Sequence, residues 1–400
     1  MIYHEGEYHL FAQRWNKCWI HAVSKDLVHW SELEPAFWEE KLDSGVQSGT
    51  CVVDFANSSG LAPDTNHPPL VAFWSRNDNR SHCLSYSLDR GRSWTHYRNN
   101  PILVHPERDP KVFWHAPTAR WVMFLYGEEN RERLYHILTS TNLLAWHDEK
   151  HPIRNSYECP DFFQLPLDGD SRRMKWLLVR GDGKYSVGEF NGIEFQEETA
   201  QFESDAGPNF YATQTWENTP DRRRVQVAWM RGGIYPAMPF NQQITFPREL
   251  TLRSTPAGPR LFRRPVREIE TLHGPEESWS NRTLNAGQSL PLAPTGDLFR
   301  IKAQLSLDEG ATLTLNVRGG KVVLARQSMT WDTKPATFTK ALAEFEVLVD
   351  RTSIEVFVND GEASMSKCFL PTDSGLSLRA TSGRVVFSRL SVVQLKSAWN

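Results

Sequence analysis

A chain of 400 residues is long enough for two domains, and its 15 Trp, 21 Phe and 10 Tyr supply large rigid packing units and flat stacking faces. A formal net charge of -3 and a pI near 6.5 give no basic field for nucleic acid, and no long run of like charges forms a tail. No stretch approaches the roughly 18 uninterrupted apolar residues of a transmembrane helix, so the expected partner is a neutral small molecule, with neither nucleic acid nor a membrane.

The chain opens on MIYHEGEYHLF, which has no basic region followed by an apolar core and so is not itself a signal peptide. Short aromatic and β-branched runs then follow one another: EYHLFAQ, PLVAFWS, RWVMFLY, MKWLLVR and RVQVAWM, separated by turn-forming Asn, Asp, Gly and Pro. No long helical period interrupts them. Within this half a weak repeat recurs: SKDLVHW at 24–30, SLDRGRSW at 87–94 and STNLLAW at 140–146. Each unit is a Ser, an Asp or Asn two residues on, and then a Trp. Repeats of strands at intervals of roughly fifty to sixty residues are the mark of a β-propeller, whose blades bury their faces only against neighbouring blades. Asp26, Asp89 and Asn142 then cap backbone N–H groups in a hairpin turn while the Trp packs between blades, a structural rather than a catalytic role.

Residues 1–255 are therefore expected to form the propeller. Around 256–285 the composition shifts to Pro, Gly and clustered Arg with a short possible helix, which reads as a linker. From 286 to 400 clean alternation takes over, as in TLTLNVRGG, EFEVLVD and SIEVFVND, with turns every eight to twelve residues, the pattern of a β-sandwich. Five scattered cysteines and no CxxC pair or His-rich spacing lead to no expected metal site, cofactor or disulfide framework. Asn57, Asn79 and Asn281 stand in N-x-S/T sequons, read as chance matches.

Two acidic signatures stand out, RDPKVFW at 108–114 and YECPDFFQLP at 157–166. Carboxylates set among aromatic rings and prolines occupy poorly hydrated pockets, where one is held protonated as a general acid and another stays ionised against developing positive charge. That is glycosidase chemistry, and it nominates Asp109 and Glu158.

Several runs now share one resemblance: GEYHLF with Gln13, HAVSKDLVHW, SGVQSGTCVVD, RDPKVFW, YECPDFF, DAGPNFYATQTW, AWM, ITFPRELTL and, in the second half, SIEVFVNDGE. In this order they resemble glycoside hydrolase family 32, the invertase, levanase and inulinase group, over essentially the whole chain. The resemblance implies an all-β fold, a five-bladed β-propeller followed by a C-terminal β-sandwich. It also implies retaining hydrolysis of β-fructofuranosidic bonds in sucrose or fructans through a covalent fructosyl-enzyme. Carried over by motif, Glu158 is the general acid/base, Asp109 the transition-state stabiliser, and Arg108 orients that carboxylate or a sugar hydroxyl. Gln13, Trp19, Ser48, Asp205 and Trp229 match the fructose pocket, with Gly49 leaving room for the sugar. For Trp19 and Trp229 packing is an open alternative, for Asp205 capping of its Gly-Pro turn, and Cys159 is read as packing. Gln47 and Thr50 depart from the family pattern, as does the short RWNKC segment, and these changes bear on the leaving group.

The largest departure is at the start. In the family a WMNDPNG-like strand, whose Asp is the nucleophile, immediately precedes the segment matching MIYHEGEYHLF. Neither Asp54 nor Asp161 is a replacement. The expectation is an internal methionine taken as the start, with the nucleophile upstream; the alternative is a catalytically degenerate fructan-binding protein. The compartment is left open, cytoplasmic as the chain stands and secreted or periplasmic if a signal precedes it. The oligomeric state is not legible. A first blade lacking its first strand is expected to be loosely held, with unpaired backbone on its neighbour.

Overall fold

The computed structural model describes residues 1–38, 45–294, 296–331 and 335–399. By packing, the chain forms two compact units: Met1–Phe202 with Ala212–Gln226, and Glu203–Tyr211 with Val227–Asn400.

The first unit holds four antiparallel meanders. The first comprises β1 (Ile2–His4), β2 (Glu7–Arg14), β3 (Cys18–Ser24) and β4 (Trp30–Trp38). The second comprises β5 (Gly49–Val53), β6 (Leu70–Ser75), β7 (Ser81–Ser87) and β8 (Thr95–His96), with β9 (Leu103–Val104) also on β7. In the third, β10 (Lys111–His115), β11 (Arg120–Glu129), β12 (Glu132–Ser140) and β13 (His147–Asp148) run in order, and β14 (Ile153–Arg154) pairs with β12. The fourth contains β15 (Asp161–Leu167), β16 (Asp170–Val179), β17 (Lys184–Phe190) and β18 (Phe195–Glu197).

The repeat seen in the sequence builds one turn three times. Asp26 Oδ1 accepts the N–H groups of Val28 and His29, Asn142 Oδ1 those of Leu144 and Ala145, and Asp89 Oδ1 that of Ser93. Each is approached by the hydroxyl of the Ser two residues earlier. The chain then passes through a positive-φ residue, Leu27, Gly91 or Leu143, whose carbonyl accepts the indole N–H of Trp30, Trp94 or Trp146. The indoles so fixed reach the neighbouring meander: Trp94 packs edge-on to Phe11 and Phe37, and Trp146 edge-on to Phe73. Between the third and fourth meanders Phe162 stacks on Trp176 at 4.7 Å, with Phe113, Phe124 and Phe190 around them. Removing one such buried ring from water is worth about 2–3 kcal/mol.

One detail of the expected fold is corrected. The first meander has four strands, and its first is short rather than missing. β1 pairs with β2 through Tyr3↔Tyr8, and on its other side the Tyr3 N–H donates to the Glu217 carbonyl at 2.9 Å. β1 is thus paired on both flanks and supplies a partner to Glu7–His9 of β2, while Leu10–Arg14 of β2 pair with β3, which weakens the basis for a loosely held first blade.

The second unit contains two six-stranded sheets. One runs His273–Leu284, Val385–Leu395, Phe299–Leu307, Glu344–Val349, Ser353–Val358, Ala363–Cys368. The other runs Ser289–Pro291, Leu376–Ser382, Thr312–Val317, Gly320–Ala325, Ser328–Thr330, Ala336–Thr337. Alternate residues such as Leu313, Leu315 and Val317 on one sheet and Ile301, Val347 and Val356 on the other form a single apolar core. The segment 256–285, expected as a linker, is instead structured. Gly258–Pro265 pairs with Arg248–Thr255, a 3-10 turn covers Arg267–Leu272, and His273–Leu284 is a sandwich strand. Arg263 is buried there on a β face, so the alternation is carried partly by arginines and escapes a hydropathy reading.

Candidate active site

Ser48 immediately precedes β5, Asp109 lies two residues before β10, and Glu158 three before β15. These are equivalent places, the approach to the first strand of three successive meanders. The approaches are tied to one another. The Thr50 hydroxyl donates to the Pro110 carbonyl at 2.6 Å, and the Tyr135 hydroxyl lies 2.8 Å from the Glu158 carbonyl it donates to. Gly181, whose N–H donates to the Tyr157 carbonyl at 2.7 Å, sits so close beneath this segment that a Cβ would meet that oxygen at 2.9 Å. Asp109, Glu158 and Cys159 all take positive φ, at 65°, 34° and 32°. Backbone held there in non-glycine residues costs about 1–3 kcal/mol each and persists only where surroundings over-determine it.

The turns bring two carboxylates and a guanidinium together. Arg108 donates through Nη2 to Glu158 Oε1 and through Nη1 to Glu107 Oε2 at 2.6 Å, while its Nε stands 3.9 Å from Asp109 Oδ2. Its guanidinium also lies over the Tyr126 ring at 5.3 Å. Asp109 is 5% exposed and its Oδ2 accepts the Cys159 N–H at 3.0 Å, with the thiol 3.5 Å away. Burial raises the Asp109 carboxyl above its usual range, against the opposing pull of that N–H and of Arg108. Burial, with Asp109 and Glu158 beside it, also pushes the Cys159 thiol well up, so it stays protonated and is no nucleophile.

A second group adjoins this one. The Ser48 hydroxyl donates to Gln13 Oε1 at 3.2 Å and also interacts with the Cys159 thiol, and Gln13 Nε2 donates to Asn16 Oδ1. Gln13, Ser48, Cys159, Asp109, Arg108 and Glu158 thus form one connected polar run.

Other nominated residues are placed differently. Trp19 is 4% exposed, donates its indole N–H to the Gln47 carbonyl at 2.9 Å and packs on Phe37, so packing accounts for it. A Cβ on Gly49 would lie 1.8 Å from the Phe73 carbonyl, so the glycine admits the neighbouring strand rather than a sugar. Asp205, in the second unit, is corrected most. Its side chain is 0% exposed, its Oδ2 meets Arg248 Nη1 at 2.9 Å, and it accepts Ser364 and Ser366 hydroxyls and the N–H groups of Ser366 and Gly207. Burial pushes its carboxyl up, but Arg248 and these donors outweigh it and hold the group below the usual range. Every lone pair is engaged within the fold. Trp229, also in the second unit, is 36% exposed, with its N–H on Gln242 Oε1 at 2.6 Å, Tyr211 edge-on at 6.0 Å and the Arg231 guanidinium over its ring at 5.9 Å.

Asp54 accepts N–H and hydroxyl bonds from Ser58 and Ser59, and Asp161 is buried against Lys111 at 2.8 Å; both are structural, as the sequence suggests. What the sequence reading missed is Glu107, the second acidic partner of Arg108, and the Cys159 N–H as the donor to Asp109. The first is visible in the run PERDP; the second needs the backbone conformation.

A family model described as the glycosyl hydrolases family 32 N-terminal domain matches residues 1–265, and its C-terminal counterpart matches residues 268–394. The chain belongs to glycosyl hydrolase family 32. A levanase of Bacillus subtilis (strain 168) is 33% identical over 100% of this chain and 68% of its own length. The extracellular exo-inulinase of Aspergillus niger is 28% identical over 100% of this chain and 92% of its own. The crystal structure of the exo-inulinase of Aspergillus awamori superposes with a TM-score of 0.87 at 25% identity, covering 100% of this chain and 95% of that one. The fold is accordingly that of the family 32 enzymes, a β-propeller with a β-sandwich, and the chain is a glycosidase.

Proposed function

We propose that this family 32 glycosidase cleaves β-fructofuranosidic bonds in sucrose or in fructans of the levan or inulin type, with retention, and that Glu158 and Asp109 are two of its three carboxylates. The observation that carries the reading is the convergence of these side chains on Arg108 from two successive meanders. The names of the relatives, levanase and exo-inulinase, support the substrate class.

In this reading the incoming fructosyl hydroxyls take over guanidinium N–H groups of Arg108, which frees Glu158 to deliver a proton to the departing oxygen and later to accept one from water. Asp109 cannot reorient, because the Cys159 N–H and the positive-φ turn fix it. A buried carboxylate that burial disfavours as an anion gains most when positive charge develops on the sugar ring, so its stabilisation is larger in the transition state than in the ground state. Gln13 and Ser48 border this pair as hydroxyl partners. In this proposal the catalytic propeller lies within residues 1–255, and the sandwich begins at the strand His273–Leu284.

Retention requires a nucleophilic carboxylate as well. The family carries it in its WMNDPNG-like strand, and the test measures fructose release from sucrose, inulin and levan with Glu158 intact and as Glu158→Gln. Release that depends on Glu158 supports the assignment, and fructan binding without release in either form would favour a binding protein.

A further inference from the structure

The sequence shows no metal-binding spacing, yet the first unit brings together His105, just beyond β9, His136 in β12 and Asp148 in β13. Their nitrogen and oxygen ligand atoms all lie within 4.8 Å of one another. His105 Nε2 stands 3.7 Å and His136 Nδ1 3.9 Å from the same oxygen, Asp148 Oδ2. The group is largely enclosed, and its two rings meet edge to face at 4.2 Å.

We propose that His105, His136 and Asp148 form a binding site for a divalent transition metal of the zinc class. Tetrahedral zinc at about 2.0–2.2 Å from N and O ligands needs donor atoms roughly 3.3 Å apart, so small side-chain rotations close the set. Three protein donors leave the fourth position to water. The far nitrogen of each ring is already engaged. His105 Nδ1 faces the Pro106 carbonyl at 3.2 Å, and His136 Nε2 faces Glu129 Oε1 at 3.4 Å. An acceptor behind each imidazole fixes the tautomer that presents a lone pair to the metal, the arrangement found behind metal-binding histidines. Gly127 stands directly behind His136, where a Cβ would lie 2.6 Å from Nε2, so only a glycine leaves room for the ring. Nitrogen and carboxylate donors together favour zinc, cobalt or nickel over calcium or magnesium.

The Lys150 ammonium, 2.6 Å from Asp148 Oδ2, is the internal competitor for this site. Its side chain is 80% exposed and free to swing into solvent. The consequence of metal binding is local. Residues 105–109 lead from His105 into Arg108 and Asp109, so an ion would fasten the approach to the candidate active site onto β12 and β13.

The test is titration of chelator-stripped protein with Zn2+, and with Co2+ for its visible ligand-field bands. The site predicts one ion per chain with tetrahedral cobalt bands, binding weakened at least tenfold in His105→Gln and in Asp148→Asn, and binding tightened severalfold in Lys150→Ala. Because Lys150 is exposed, that last variant decides the matter should the others fold poorly. Absence of uptake in both the native chain and Lys150→Ala, or uptake unaltered by all three substitutions, overturns the proposal.

Discussion

A single guanidinium, Arg108, joins the two acidic motifs: it donates to Glu158 Oε1 while its Nε stands 3.9 Å from Asp109 Oδ2. Neighbours in sequence thus become the bridge between residues about fifty positions apart, and the charge balance of the site depends on it.

The Asp109 carboxyl is ionised at a cost to the fold. Its pKa is raised from 3.8 by burial, so as pH rises from that value the unfolded chain releases the proton before the folded chain does, and stability declines until the folded pKa is passed. Asp109→Asn should therefore lose activity by roughly 10²–10³-fold while gaining about 0.5–2 kcal/mol of stability at neutral pH, a gain that vanishes in acid. Activity assays beside thermal melts at pH 7 and pH 3.5 check this; a variant less stable than the parent at pH 7 would contradict it.

Asp205 separates a structural from a substrate role. Its partner Arg248 is fully buried between Asp205 and Glu355, 2.9 Å and 2.6 Å away. Removing one carboxylate of a buried network typically costs about 3–5 kcal/mol. Asp205→Ala should lower the melting temperature sharply yet leave KM for sucrose near its parent value in the folded fraction. A large rise in KM without loss of stability would restore Asp205 to the pocket.

Most of the fold is legible in the sequence because it is written twice, once as alternation and once as the Ser-x-Asp turn with its Trp. The closeness of His136 and Asp148 is not legible, since it depends on the register of β12 and β13, which sets Asp148 opposite Leu138, two residues from His136. Arg248 and Arg263 mislead for a different reason: both are buried, Arg248 against Asp205 and Glu355, so a polarity reading places them outside. The acid motifs were found because aromatic rings and prolines flank them, whereas the role of Asp205 depended on Ser364 and Ser366, far away in the chain.

Acid should loosen the first two meanders. Burial lowers the pKa of His9 to about 3, of His21 to about 4 and of His82 to about 4, from 6.5. Below pH 6.5 the unfolded chain takes up protons that the folded chain refuses, so this contribution is complete above 6.5 and is lost as pH falls toward 4. Each ring gives at most about 1.4 kcal/mol per pH unit. Urea midpoints between pH 7 and pH 4.5 should fall steadily, and His9→Gln should flatten the decline; a flat profile in the parent would refute the assignment.

The central claim is that Glu158 and Asp109 serve fructoside hydrolysis. It is tested most directly by fructose release from sucrose, inulin and levan with Glu158 intact and as Glu158→Gln. The account predicts release with Glu158 intact and a loss of roughly 10²–10⁴-fold in Glu158→Gln. Release undiminished by Glu158→Gln, or no release from any of the three sugars with Glu158 intact, would contradict it.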